Sequence, residues 1–341
     1  MFLKWRKIIK WVQFNRVEDN LPNSMTQGEK KRQRIFEKYV GNLNLLIDNG
    51  LIDAKEDEYI CPICLNPHQV VESDKNPLTL EDAPPKSLGG KANTLTCLSC
   101  NNHCGKQIDY HLTERMRELD NGEFIPGTST RVQVNINGEM YRGEISIDEN
   151  GVMTMLHSKK NNHPEKLNQA MNEIRGKVID MNFLRSRVIP EKLEYALLKT
   201  GFLLAFEKFG FSLMLNDCYN IIRQQLLNPE ERIYPEGFWT RQPFPEKYNG
   251  VYFVMDSGVE SILAIFQLDT GNTKRTFSTF LPLPIRPIEE VIQNLKAKFD
   301  KNGQLALKLS PSPGTEVDYL MDIGNIQAMR EWIDNRRKVA N

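Results

Sequence analysis

Five of the six cysteines fall within residues 61–104, and four of them form two pairs with two-residue spacers, Cys61-Pro-Ile-Cys64 and Cys97-Leu-Ser-Cys100. Such a spacer lets both thiolates of a knuckle face one ion, and four soft anionic ligands close a tetrahedron around Zn2+. No coordination position stays open, so the expected role is structural: the ion stabilises a stretch with few apolar residues of its own. Paired CxxC spacing in a chain with no evident export signal favours metal over disulfides. Cys218 stands alone in a helical pattern and reads as an inert buried thiol.

A second set of reactive residues lies between and after the knuckles. Glu81-Asp82 precedes Pro84-Pro85-Lys86-Ser87-Leu88-Gly89-Gly90-Lys91, and Asn93 follows. After the second knuckle come Asn101-Asn102-His103, then Asp109 and His111. Asn102 and Asp109 are seven apart and share a helix face if a helix starts near Cys100. These residues also have plain readings. Glu81 and Asp82 suit a solvated loop, Asn101 and Asn102 suit a helix cap, and His68 suits the surface.

The CxxC pairs, the Pro–Ser–Gly-Gly segment and the Cys97-x-x-Cys100-Asn101-Asn102-x-x-Gly105 run together resemble the zinc-stapled branch of the HNH endonuclease superfamily, over about residues 58–115. The resemblance implies a ββα-metal module, a hairpin packed on a helix around one divalent ion, Mg2+ or Mn2+. Glu81 and Asp82 occupy the strand positions for a metal ligand and a general base. Asn93 occupies the loop position that orients the base. Asn101, Asn102 and His103 open the helix, and Asp109 and His111 lie further along it. The implied catalytic set is Glu81, Asp82, Asn93, Asn102, His103 and Asp109. The metal would polarise the scissile phosphate while the base activates water.

This chain departs from the pattern at Asp82, where the family has histidine. A carboxylate is the weaker base near neutrality. Either His103 or His111 supplies the base, or metal-bound water needs less help, or the site is inactive. Two functions follow as expectations. One is a metal-dependent endonuclease, on DNA in preference to RNA, in a phage-defence or mobile-element setting. The other is a non-catalytic zinc-ribbon protein that binds nucleic acid or a protein partner and carries a degenerate HNH site.

The elements that must position these residues give an α+β chain: an N-terminal helical segment (1–57), the zinc-binding HNH-like module (58–120), a β-meander plus helix (121–180) and a C-terminal α+β domain (181–341). Apolar spacing predicts helices over 5–14 and 28–49, the latter stopped by Gly50. Alternation at Val132, Val134 and Ile136, with turns at Asn137-Gly138 and Asn150-Gly151, predicts a three-stranded meander. A helix is expected near 163–174. Pro190 opens a long helix, apolar round most of its circumference, that ends before Gly210. Asn216 is placed as the cap of the next helix. Strands over 251–255, 261–268, 276–283 and 305–309 and helices over 287–299 and 325–339 complete the C-terminal domain, which could dock a protein partner. The stretch 197–211 and 220–229, with Arg223 inside it, loosely resembles a region that accompanies some bacterial HNH proteins. Trp239, Phe244, Tyr248 and Tyr252 are candidates either for stacking on bases or for the core.

Lysine plus arginine and aspartate plus glutamate both number 44. That balance excludes a protein that binds polyanions over its whole surface and leaves local patches to do so. Residues 1–38 carry ten basic and four acidic side chains. For phosphate contacts the candidates are Lys86, Lys91, Lys106 and Arg115, with Arg117 beside them. The run Lys30-Lys31-Arg32-Gln33-Arg34 could track a backbone or form a solvated helix face. Phe2–Phe14 reads as a basic amphipathic helix that docks on the protein, touches a membrane surface or acts as a targeting peptide. No apolar run is long enough to span a bilayer, and a cytoplasmic location is expected.

Overall fold

The computed structural model describes residues 25–72, 75–136, 138–157, 162–173, 180–184 and 187–340. The expected helix at Phe2–Phe14 and the turn residue Asn137 lie outside them.

Helix α1 (Gln27–Asp48) opens on a capping box: the Thr26 side chain accepts from the Glu29 amide, and the Glu29 carboxylate accepts from the Thr26 amide. Two otherwise unpaired donors are satisfied this way. Its buried side, Ile35, Phe36, Tyr39, Leu43 and Leu46, repeats at helical spacing.

The cysteine module follows. Strands β1 (Tyr59–Ile60) and β2 (Pro67–His68) pair around the first knuckle. Strands β3 (Leu78–Ala83) and β4 (Lys91–Cys97) form an antiparallel hairpin. Helix α2 (Leu98–Cys104) starts on the second knuckle, runs into a π-helical turn at Gly105–Asp109 and continues as α3 (Tyr110–Gly122). The Gly-Gly pair in the hairpin loop has a steric cause. Gly89 has φ +81°, and a Cβ on Gly90 would stand 1.5 Å from the Pro84 carbonyl oxygen.

Strands β5 (Ser129–Ile136), β6 (Glu139–Ile147) and β7 (Met153–His157) make the expected meander. A fourth strand, β8 (Asp180–Phe183), pairs antiparallel with β5; the sequence reading missed it because four residues are too few to establish a period. Helix α4 (Pro164–Glu173) lays Leu167 and Ala170 on this sheet to build a core of its own.

The remainder is built on α5 (Pro190–Phe209), α6 (Phe211–Met214), α7 (Asn220–Leu227), β9 (Trp239–Arg241), β10 (Gly250–Val254), β11 (Ser261–Asp269), β12 (Lys274–Leu281), α8 (Ile288–Asn302), β13 (Leu309–Ser310) and α9 (Ile323–Ala340). The strands form one antiparallel sheet in the order β13-β10-β11-β12-β9. The strand expected over 305–309 shrinks to two residues at its far end. Asn216 caps a short 3-10 turn (Asp217–Tyr219), and α7 begins only after it.

Helix α5 is buried nearly all round, as its apolar circumference requires. One side lies on β11 and β12, and the other meets α3 and the π turn. A Cβ on Gly201 would stand 2.0 Å from Thr279 Oγ1, so the glycine allows helix and sheet this close an approach. One apolar core joins α1, the cysteine module and the C-terminal elements. Of the aromatics proposed for stacking, Tyr252 sits inside that core, its hydroxyl donating to the Tyr248 carbonyl at 3.0 Å. Trp239, Phe244 and Tyr248 pack against it. The core reading therefore holds for this set.

Candidate metal centre and the adjoining carboxylate site

The two knuckles converge. The Sγ atoms of Cys61, Cys64, Cys97 and Cys100 all lie within 4.8 Å of one another, and all four thiols are free. Cys64 and Cys97 place their sulfurs 3.7 Å apart. A tetrahedral ion with sulfur ligands at about 2.3 Å puts its sulfurs about 3.8 Å apart, so the cluster could hold a metal ion such as zinc. The surroundings fix the knuckles. The Cys97 amide points at Cys61 Sγ at 3.5 Å. The Tyr59 hydroxyl donates to the Leu95 carbonyl at 2.6 Å and accepts from the Leu95 amide at 3.2 Å. Arg223, buried on α7, donates from Nε to the Pro62 carbonyl inside the first knuckle at 3.0 Å. Its other nitrogens donate to Asn220 Oδ1 and the Met214 carbonyl. Sequence reading noticed Arg223 without assigning it this bracing role.

Glu81, only 3% exposed, projects from β3 toward α5. Its Oε2 accepts from Thr96 Oγ1 at 2.7 Å, and its Oε1 lies 2.7 Å from the ammonium of Lys199. The same ammonium donates to Asp109 Oδ2 at the end of the π turn. Lys199 is 2% exposed at the side chain. Burial opposes its charge, but Asp109 and Glu81 outweigh that and hold its pKa above the ordinary lysine range. Burial pushes the Asp109 carboxyl up; Glu81 adds to the rise and Lys199 works against it. Asp109 Oδ1 is buried without a hydrogen-bond partner, as is Oγ1 of Thr94, which stands opposite Glu81 in the hairpin register. Lys199 is the residue the sequence reading missed. The available signal was a lysine amid Ala196-Leu-Leu and Thr-Gly-Phe202 in a helix apolar on every side, because a fully buried lysine requires an anionic partner.

The other expected site residues are placed as follows. Asp82 is half-buried beyond a register shift at Glu81/Asp82, and Asn93 is the unpaired residue of that irregularity, since Glu81 pairs with Thr94 and Asp82 with Ala92. Burial and the Glu81 charge raise the Asp82 pKa, while Lys86, Lys31 and Lys199 pull it down. Asn101 donates to Thr79 Oγ1 at 2.9 Å and to the Leu80 carbonyl at 3.1 Å, pinning α2 to β3. Asn102 is exposed, whereas Asp109 is held inward by Lys199. The π turn widens the helix between them and breaks the seven-residue phase. His103 keeps its Nε2 buried and without a partner. His111 accepts from the Ile189 amide through Nδ1 at 3.1 Å. An accepting Nδ1 belongs to a neutral imidazole, and burial, helped by Lys192, lowers the His111 pKa against the pull of Glu230. His111 is thus a strut between α3 and the entry to α5, and its Nδ1 is occupied.

Among the described residues, the four cysteines are the one group of three or more histidine, cysteine and carboxylate ligands close enough to hold an ion. Of the expected catalytic set, Glu81 and Asp109 converge on Lys199, and among the described residues Glu81, Asp82, His103 and Asp109 do not form a group of three close enough to hold an ion. Lys86, Lys91, Lys106 and Arg115 are exposed, with Arg115 paired to Glu118 at 3.1 Å. Lys30, Lys31 and Arg34 of α1 line one surface depression.

Comparison with protein-family models, with curated proteins and with solved structures gave no match. The class that stands is an α+β chain with a four-cysteine cluster able to hold a metal ion such as zinc. No described helix is long and apolar enough to cross a membrane.

Proposed function

We propose that this protein binds nucleic acid, DNA in preference to RNA, through a zinc-stapled hairpin–helix module of HNH-nuclease type whose catalytic position is closed. The supporting observation is that Lys199 occupies the cation position between Glu81 and Asp109, with Glu81 only 3% exposed. A phosphodiester cannot reach a carboxylate held this way. The surface beside it remains basic: Lys31 on α1 and Lys86 on the hairpin loop are both exposed and both act on Asp82. Phosphate neutralisation by such residues supplies most non-specific affinity.

A second reading, a metal-dependent endonuclease using Mg2+ or Mn2+, is favoured by Asp82 itself. It is only half-buried, Lys86 and Lys31 act on it electrostatically, and burial and the Glu81 charge raise its carboxyl pKa, the direction that favours a general base.

One pair of measurements separates the readings. Fluorescence anisotropy of labelled duplex DNA, single-stranded DNA and RNA, titrated with zinc-loaded protein across salt concentrations, should show binding that weakens with salt. Plasmid incubated with the same protein and added Mg2+ or Mn2+ should stay intact. Absence of binding to all three probes rejects the proposal. Metal-dependent cleavage that disappears in Asp82→Ala replaces it with the second reading.

A further inference from the structure

We propose that β7 is a pairing edge and that its partner is the same strand of a second copy of this chain. β7 is the outermost strand of the order β7-β6-β5-β8. The hydrogen bonds around β6 fix which backbone groups of β7 are free. The Ile147 carbonyl accepts from the Gly127 amide at 2.8 Å, and the Ile147 amide donates to the Thr128 carbonyl at 2.9 Å, so Ile147 faces the β5 side. Direction alternates along a strand. Asp148, Ser146 and Glu144 therefore face β7, and the Asp148 amide donates to the Val152 carbonyl at 3.1 Å. Ser146 lies opposite Thr154, and Glu144 opposite Leu156. The backbone groups of Met153, Met155 and His157 consequently point away from the sheet.

Proteins blunt such an edge with charge, proline or shortness, and this chain does so at its other described edges. β9 and β13 have three and two residues, with Pro243 and Pro311 just beyond them. β8 starts on Asp180. β3 and β4 carry Asp82 and Lys91 and lie against helices. β7, Met153-Thr-Met-Leu-His157, has no Asp, Glu, Lys, Arg or Pro, and Val152, Met153 and Leu156 are exposed along it.

The same features select a second copy as the occupant. A strand without charged residues meets its own copy with no like charge opposed to like. In the sequence Asp148-Glu149 precedes the run and Lys159-Lys160 follows it. Antiparallel pairing of two copies brings ends of opposite charge together, whereas parallel pairing brings like ends together. A two-fold axis at Met155 uses every outward group. Met155 then faces Met155 of the second copy, Met153 faces His157 of the second copy, and about six backbone hydrogen bonds form. Thr154 and Leu156 alternate with Met155, which packs on the α4-side core, so they lie on the face away from α4. There Thr154 stands across from Leu156 of the second copy and covers a leucine that is 60% exposed. The contact uses one patch twice and closes at two copies, joining two four-stranded sheets into one. It does not depend on nucleic-acid binding.

The experiment is sedimentation velocity of the full zinc-loaded chain over a micromolar concentration series. The parent should approach twice the 39.4 kDa chain mass. Met153→Pro removes an outward N–H that the fold does not use, at the kind of edge position where proline is tolerated. It should melt like the parent and stay monomeric throughout. Two further variants change only exposed side chains: Thr154→Lys with Leu156→Lys, and Thr154→Glu with Leu156→Glu. Each alone should be monomeric, because like charges stand opposite in the proposed register, and an equimolar mixture should dimerise. If Met153→Pro does not fold, the charged variants decide. A monomeric parent overturns the proposal and leaves the edge to a strand of a different protein. Open assemblies larger than a dimer overturn it, as does a dimer that survives in Met153→Pro and in both charged variants. Monomeric charged variants whose mixture stays monomeric overturn it as well.

Discussion

Lys199 on α5 holds Glu81 of β3 at 2.7 Å and Asp109 of the π turn with the same ammonium, and it does so almost wholly out of water. Removing one member of a buried charge set leaves the others unpaired, which costs about 3–5 kcal/mol. Lys199→Ala in metal-free buffer is therefore expected to lose about that much in urea unfolding. The combined Lys199→Met, Glu81→Gln, Asp109→Asn variant should recover most of the loss, because no uncompensated charge remains. Equal loss in both would show that the role of Lys199 is packing and not charge.

The cysteine cluster makes a separate prediction. With four thiols within 4.8 Å, Cys97→Ser should lower the zinc content measured by elemental analysis and the melting temperature together, since metal binding and folding are linked. A variant that lost zinc but melted like the parent would show that the ion contributes nothing to the fold.

The four-cysteine cluster was legible from spacing alone, because a two-residue spacer has few other physical uses. Most long elements were legible as well: the caps, Pro190 and Gly210 delimit α1 and α5 almost to the residue. The carboxylate site was legible only by residue type. Glu81, Asp82, Asn93, Asn102, His103 and Asp109 form one set by resemblance, yet two features invisible to local pattern decide what Glu81 and Asp109 do. The π turn changes the helix phase between Asn102 and Asp109, and the partner of Glu81 and Asp109 stands 90 residues beyond Asp109 along the chain. Periodicity reports neither a single wide turn nor a long-range charge partner. It does place α5 in the interior, and a charged residue there was the sign that a partner had to exist.

His111 carries the pH prediction. Its folded pKa is lowered, by burial first and Lys192 second, so the unfolded chain takes up its proton at higher pH than the folded one. The stabilisation from the neutral ring is present above the unfolded value of about 6.5 and is lost as pH falls through the lower folded value. Unfolding free energy should accordingly decline on acidification below about pH 6.5, together with faster amide exchange at Ile189, which donates to the ring. In His111→Gln that acid-side slope should be shallower. An unchanged slope would place the sensitivity elsewhere.

Arg223 should control how firmly the first knuckle is held. Its guanidinium donates to the Pro62 carbonyl at 3.0 Å while stacked 5.7 Å from the Phe202 ring. Hydrogen bonds from a charged donor are worth about 1.5–3 kcal/mol, and lysine cannot reproduce the guanidinium fork. Arg223→Lys is expected to keep the fold and release zinc to a chromogenic chelator faster than the parent. Parental release kinetics would show that the cysteines alone set the rate.

The basic rim is the last test, and charge arithmetic makes it specific. If Lys31 and Lys86 each neutralise a phosphate, replacing either with Gln should weaken binding to unrelated duplexes by a similar factor. It should also reduce the slope of log affinity against log salt by about one. Asp82 interacts electrostatically with both lysines, and its charge opposes theirs, so Asp82→Asn should tighten binding if the site only holds nucleic acid. A catalytic Asp82 predicts a different pair of results: binding little changed and cleavage lost. Affinity and cleavage measured on one Asp82→Asn preparation therefore separate a phosphate-binding rim from an active site, with Lys31→Gln confirming that the rim is in contact at all.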